Sequence, residues 1–151
     1  MERDRQLLIT ADSGAAQSAF SRVDTRELAA IFIGGCLGAV LRAILARSLP
    51  VTVGHWPWAT FTVNIVGALI LGWLITRLQE RLPPTMYTRA LLATGFCGAL
   101  TTFSTLMLEL LAMIEHSHLL LALSYAAASI IGGLAAVELA TKFARRGGRL
   151  G

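Results

Sequence analysis

Charge is scarce in this chain. Only 15% of its 151 residues are Asp, Glu, Lys or Arg, and lysine occurs once, at Lys142. A soluble domain of this length needs a densely charged surface, so a water-filled exterior is excluded over most of the chain. Cysteine is limited to Cys36 and Cys97, each inside a long apolar run. A disulfide framework is therefore not expected, and both are read as small packing residues. The four prolines, Pro50, Pro57, Pro83 and Pro84, all fall between apolar runs, where they end turns. No metal-ligand or phosphate-loop spacing occurs. The histidines, His55, His116 and His118, sit at the ends of apolar runs. None shares a helix with Ser104, so an intramembrane serine hydrolase is the least favoured reading.

What is abundant is apolar: 55% of the residues, gathered in four blocks. Spanning some 30 Å of hydrocarbon takes about 20 residues of helix. Four spans follow, Leu28 to Leu45, Trp58 to Leu78, Arg89 to Ile114 and His118 to Lys142. The expected fold is an all-α membrane protein of four transmembrane helices, with residues 27–143 as the membrane domain. Residues 1–26 mix charged and small polar residues without an apolar period and are read as a mobile polar extension. Leu7 to Ile9 is too short an apolar stretch for a signal peptide. Residues 144–151 form a basic tail. Four spans leave no room for a soluble catalytic module, so function belongs between helices or between subunits.

Charge position orients the chain. Arg3, Arg5, Arg22 and Arg26 precede the first span, Arg77, Arg81 and Arg89 flank the second connection, and Lys142, Arg145, Arg146 and Arg149 follow the last span. Eleven of the thirteen basic residues thus share one side, which places both termini in the cytoplasm of a plasma-membrane protein. The basic tail is read as an anchor to anionic headgroups, with no nucleic-acid role. In His55-Trp56-Pro57-Trp58 the two indoles mark the membrane interface.

Polar and small residues inside the spans fall on faces. Gly34 and Gly38 form a small-xxx-small pair with Arg42 one turn on; Arg42 either snorkels or attracts anions. Thr60 and Asn64 share a face with Gly67 nearby. An amide at mid-depth needs partners, so Asn64 either makes an interhelical hydrogen bond or offers its N–H donors to an unhydrated anion. Gly95 to Thr105, GFCGALTTFST, places four hydroxyls, the Phe103 ring and two glycines inside a spanning segment. A helix is interrupted in hydrocarbon only where protein, water or an ion takes up the freed carbonyls, so this stretch is a candidate ion site. Thr102, Thr105 and Glu109 form one stripe, and Glu109 must be paired, protonated or near water. The last span adds Tyr125, Ser129 and Gly132 or Gly133. Glu138 lies near enough to the cytoplasmic end to be solvated.

Three segments, GGCLGAVLRAIL, TFTVNIVGALILG and TGFCGALTTFSTLMLE, resemble the conserved-order motifs of the Fluc, or CrcB, family of fluoride channels, over about residues 28 to 143. The resemblance implies small four-helix subunits with a broken third helix, assembling as an antiparallel dimer with two fluoride pathways and a sodium ion buried at its centre. By motif position, carbonyls of Gly98 and Thr101 would hold the sodium. Asn64 and Phe103 would line the fluoride route, with Tyr125 and Ser129 as partners on the last span. Arg42 matches the family's first-span arginine, and Glu109 its acidic position after TTFST. An edge-on Phe103 ring attracts a small anion without trapping it, and hydroxyls of Thr102, Ser104 and Thr105 can replace part of its hydration shell.

One departure stands out. Family members commonly carry a second phenylalanine in TTFSTF, and here that position is Leu106, which has no positive ring edge. The strong basic bias also conflicts with inserting one chain in both orientations. Either the path tolerates one fewer aromatic contact or one of the two pores is impaired. Both features put the homodimer in doubt in favour of a heterodimer with an oppositely oriented paralogue, and Leu106 leaves open a pore-impaired accessory subunit. A small proton-coupled multidrug exporter would need an acidic residue in the first span, and none lies between Leu28 and Leu45.

Overall fold

The computed structural model describes residues 24–52, 54–80 and 86–146, and these are helical with no strand among them. Helix α1 covers Thr25–Ser48, α2 Trp58–Glu80 and α6 Leu119–Arg146. Between α2 and α6 the chain forms α3 (Met86–Arg89), a π-helical stretch Ala90–Cys97, α4 (Gly98–Leu100) and α5 (Phe103–Glu115). Four helical segments, 25–48, 58–78, 87–115 and 119–146, are long and apolar enough to cross a membrane. Their outer surfaces carry exposed Phe32, Leu120, Ile131 and Phe143. Water would not tolerate that much contiguous apolar surface, whereas lipid does.

The helix ends depart from the sequence expectation by a few residues, each for a local reason. Helix α1 starts at Thr25 because Asp24 caps it, accepting a hydrogen bond from Arg26 N at 3.0 Å. The Tyr87 hydroxyl donates to the other carboxylate oxygen at 2.8 Å, tying the start of the first span to the start of the third. Helix α6 runs on to Arg146, with Arg145 and Arg146 in its last turn facing the negative end of the helix dipole. Glu138 is exposed there and pairs with Lys142 at 3.1 Å. Most of the N-terminal extension (1–23) and of the tail (147–151) lies outside the described residues.

Helix α1 packs on the π-helical stretch and α4, α2 on α6, and α5 on α6. The first contact is backbone against backbone. A Cβ on Gly34 would fall on the Leu91 carbonyl oxygen and 2.9 Å from Phe96 N; one on Gly38 would fall on Phe96 O and 3.0 Å from Leu100 N. Only glycine permits this approach, as the small-xxx-small spacing implies. At the opposite face of the bundle from the chain ends, Gly54 adopts φ +84° in the α1–α2 connection, with the His118 ring against it.

Candidate functional site

Helix α4 ends at Leu100. Thr101 (φ −78°, ψ 152°) and Thr102 (φ −146°, ψ 120°) are extended, and α5 starts at Phe103. Two extended residues leave peptide groups that no helical ladder satisfies, and Asn64 of α2 takes up both of those on Thr102. Thr102 N donates to Asn64 Oδ1 at 2.8 Å, and Asn64 Nδ2 donates to Thr102 O at 3.1 Å. A carboxamide is the side chain for this task, since it carries acceptor and donor side by side. Of the two roles open to Asn64 from the sequence, the interhelical hydrogen bond is therefore made, and the amide has a second N–H besides. The Thr102 hydroxyl in turn caps α5, accepting from Thr105 N at 3.2 Å. Its oxygen also lies 2.9 Å from Thr105 Oγ1 and 3.3 Å from Ser104 Oγ.

Two clefts meet at this point. The first, of about 250 Å³, runs between the second half of α1 and the start of α2; Arg42, Thr60, Thr102 and Thr105 supply its polar groups, and alanines form much of its wall. The second, of about 390 Å³, lies toward the chain ends and is lined by Asn64, Gly67, Gly98, Thr101, Thr102, Phe103 and Leu106 among others. Thr102 is the one residue common to both. Arg42 is partly buried beside the first cleft. The Phe103 ring is 73% exposed at the edge of the second. Leu106, three residues on, turns inward instead, packing with Met113, Ala122 and Tyr125.

Tyr125 and Ser129 line neither of these clefts. Tyr125 is fully buried, and its hydroxyl donates to Glu109 Oε2 at 2.7 Å. Thr60 Oγ1 donates to Glu109 Oε1 at 2.6 Å, so one carboxylate gathers hydroxyls from α2 and α6 onto α5. Short hydrogen bonds of this kind offset the cost of placing the Glu109 carboxyl among the spans. A third cleft, of about 260 Å³, reaches Glu109 from the α1–α2 connection past Thr52 and His55. Ser129 Oγ is buried without a hydrogen-bond partner. Ser124 bonds back to Leu121 O at 2.9 Å, as a lone helical hydroxyl commonly does.

Besides the interface-anchoring role that its sequence position implies, Trp56 has a second role in the fold. Its ring meets Tyr125 edge-on at 5.3 Å and Phe61 at 5.5 Å, closing the end of the bundle over the Glu109 cluster. The signal was present in the paired indoles, but nothing in the linear order connects residue 56 to residue 125.

Residues 29–141 match the family model described as "CrcB-like protein, Camphor Resistance (CrcB)". The protein named fluoride-specific ion channel FluC 1 of Mycolicibacterium paratuberculosis is 57% identical over 123 residues, covering 82% of this chain and 93% of its own length. The FluC 1 channel of Mycobacterium tuberculosis is 55% identical over the same shares. A fluoride-specific ion channel of Methanopyrus kandleri is 43% identical over 118 residues, covering 77% of this chain and 87% of that one.

Proposed function

Because this chain belongs to the CrcB family, we infer that it is a fluoride-specific ion channel, not an enzyme, through which cytoplasmic fluoride leaves the cell passively. The observation that carries this reading is the meeting of two clefts, opening on opposite halves of the spans, at the extended residue Thr102. Weak, serial contacts suit conduction better than one strong site. Arg42 draws the anion into one vestibule, the Thr102, Ser104 and Thr105 hydroxyls and the free N–H of Asn64 replace part of its water, and the Phe103 ring edge passes it on. Tyr125 acts through Glu109 at the border of this route, and Ser129 offers a further hydroxyl on α6. A negative cell interior adds about 2.3 kcal/mol per 100 mV to the outward drive on each anion.

The exposed Phe103 ring at the edge of the second cleft calls for a wall that a single chain lacks. A second four-helix subunit in antiparallel orientation supplies it in our reading, and the interruption of the third helix at Thr101 and Thr102 lies at the contact. In the same reading a structural sodium ion sits there. Thr102 N–H, which in a continuous helix would go to Gly98 O, goes to Asn64 instead, and Gly98 is exposed with open space around it. By motif position in the family resemblance, the carbonyls of Gly98 and Thr101 are the ligands we assign to the ion. The one-sided distribution of Lys and Arg favours both termini in the cytoplasm and an oppositely inserted paralogue as the partner. Stable dimers of this chain alone, with termini labelled from both faces of the membrane, would exclude the paralogue.

Fluoride-electrode recordings of efflux from liposomes test the function. Wild type, alone or with the paralogue, releases fluoride and retains chloride. Asn64→Asp slows release at least about tenfold, a change of ~1.4 kcal/mol that a like charge beside the anion easily exceeds, and Phe103→Ile slows it by removing the positive ring edge. No release under either condition ends the channel assignment. The inward-turned Leu106 supports one alternative, an accessory subunit without a pore of its own. In that case the paralogue paired with this chain conducts no more than its own share, and Asn64→Asp here changes nothing.

A further inference from the structure

We propose that the groove between α2 and α6 near the chain ends is a binding site for one anionic phospholipid of the leaflet on that side. The groove, of about 390 Å³, is lined by Leu69 of α2 and by Leu139, Ala140, Lys142, Phe143 and Arg146 of α6. Positions 139, 142, 143 and 146 recur at helical spacing and form one face on which apolar and cationic residues alternate, with Leu139 deepest and Arg146 nearest the membrane surface. From Leu139 to Arg146 that face extends about 10 Å, the length of a headgroup and the upper part of an acyl chain. The side chains that floor it are open to lipid, Leu139 at 62% and Phe143 at 71% exposure.

The polarity of the groove selects its occupant. A zwitterionic lipid would place as much positive as negative charge beside Lys142 and Arg146, whereas an anionic phosphate meets both cations. The Glu138 carboxylate already beside Lys142 does not block this. That pair is exposed on both sides, hence weak, and the ammonium has three donors to share. The groove is also separate from the conduction route. Val137 lines the cleft beside Phe103, and two residues of helix turn place Leu139 about 200° round from it. The lipid therefore seats on the outside of the α2–α6 pair, whose tight crossing at Gly72 and Ala140 it would brace.

Native mass spectrometry of the full-length protein in detergent, titrated with phosphatidylglycerol or phosphatidylcholine, tests the site. The expected result is one tightly retained phosphatidylglycerol per subunit and no comparable retention of phosphatidylcholine. The double variant Lys142→Gln/Arg146→Gln should bind phosphatidylglycerol roughly thirtyfold more weakly, the loss two cations at a membrane surface account for. Arg89→Gln removes a cation from the same side but outside the groove and should leave the retained lipid in place. Leu139→Trp fills the groove with both cations intact, sits on an exposed position, and should displace the lipid. Equal retention of the two lipids, or unchanged phosphatidylglycerol binding in both groove variants, overturns the proposal. Equal weakening by Arg89→Gln also overturns it, because the attraction then belongs to the whole face and not to this groove.

Discussion

The two halves of the third span are held by different forces. Beyond the Tyr87–Asp24 bond at its start, the first half, from α3 to α4, lies backbone to backbone on α1 through Gly34, Gly38 and Gly95. Along α5 the contacts are made by side chains, with Glu109 gripping Thr60 and Tyr125 and the Thr102 hydroxyl gripping Thr105. Lipid tails are as apolar as leucine, so burial alone holds neither half in place. The first relies on close van der Waals contact, the second on hydrogen bonds. The first half should accordingly be sensitive to volume and the second to chemistry.

The largest effect expected of that contrast is at the glycines. Gly34→Leu or Gly38→Leu drives a side chain into carbonyls that cannot rotate away, at a cost of about 3 kcal/mol or more. Almost no monodisperse protein should elute from size-exclusion chromatography, and a normal yield would break the comparison. Next comes Glu109→Leu, which strands two hydroxyls and should lower unfolding free energy by ~2 to 4 kcal/mol in a detergent titration. Glu109→Gln keeps an acceptor for one of them and should lose less than half as much. Tyr125→Phe removes one donor only and should cost about 1 kcal/mol, within the range of single interhelical hydrogen bonds in membranes. If Glu109→Gln and Glu109→Leu are equally damaging, charge and not hydrogen bonding holds the second half.

The smallest effect concerns the junction of α1 with the start of the third span. The Tyr87 hydroxyl, helped by Arg26 N, holds the Asp24 carboxyl below its ordinary 3.8. A depressed folded pKa contributes stability above the unfolded value and loses it as pH falls through the folded one. Wild type should therefore melt slightly above Asp24→Asn at pH 7, and the gap should close below pH 3.8 as Asp24 becomes protonated. A gap that persists in acid would mean that carboxylate charge contributes nothing at this junction.

Much of the architecture was legible in the linear chain. Apolar runs of span length are visible without any fold, and Trp58–Leu78 agrees to the residue with the second membrane segment. The glycine spacing at 34 and 38 announced a close helix contact, and GFCGALTTFST marked the place where the helical ladder stops. Less legible were the alternatives at Asn64, whose amide suits an anion and a peptide group equally well. Only the position of Thr102, 38 residues away, selects the peptide group. Tyr125 and Ser129 share a helical stripe and were grouped accordingly, yet one is bound to Glu109 and the other finds no partner. Stripes identify a face but not what lies opposite it.

Composition and order by themselves determined that this protein spans a membrane four times, which way its charges lean and where its third span is weakest. Those properties follow from the transfer of side chains and peptide groups between water and hydrocarbon, a cost each segment meets alone. Tertiary structure decided that Asn64 satisfies Thr102, that Glu109 joins α2 to α6, that Phe103 faces outward while Leu106 faces in, and that two clefts share one residue. Each of these is a distance between groups far apart in the chain, and a hydrogen bond made at 3 Å is lost at 4 Å, so only packed helices could set it.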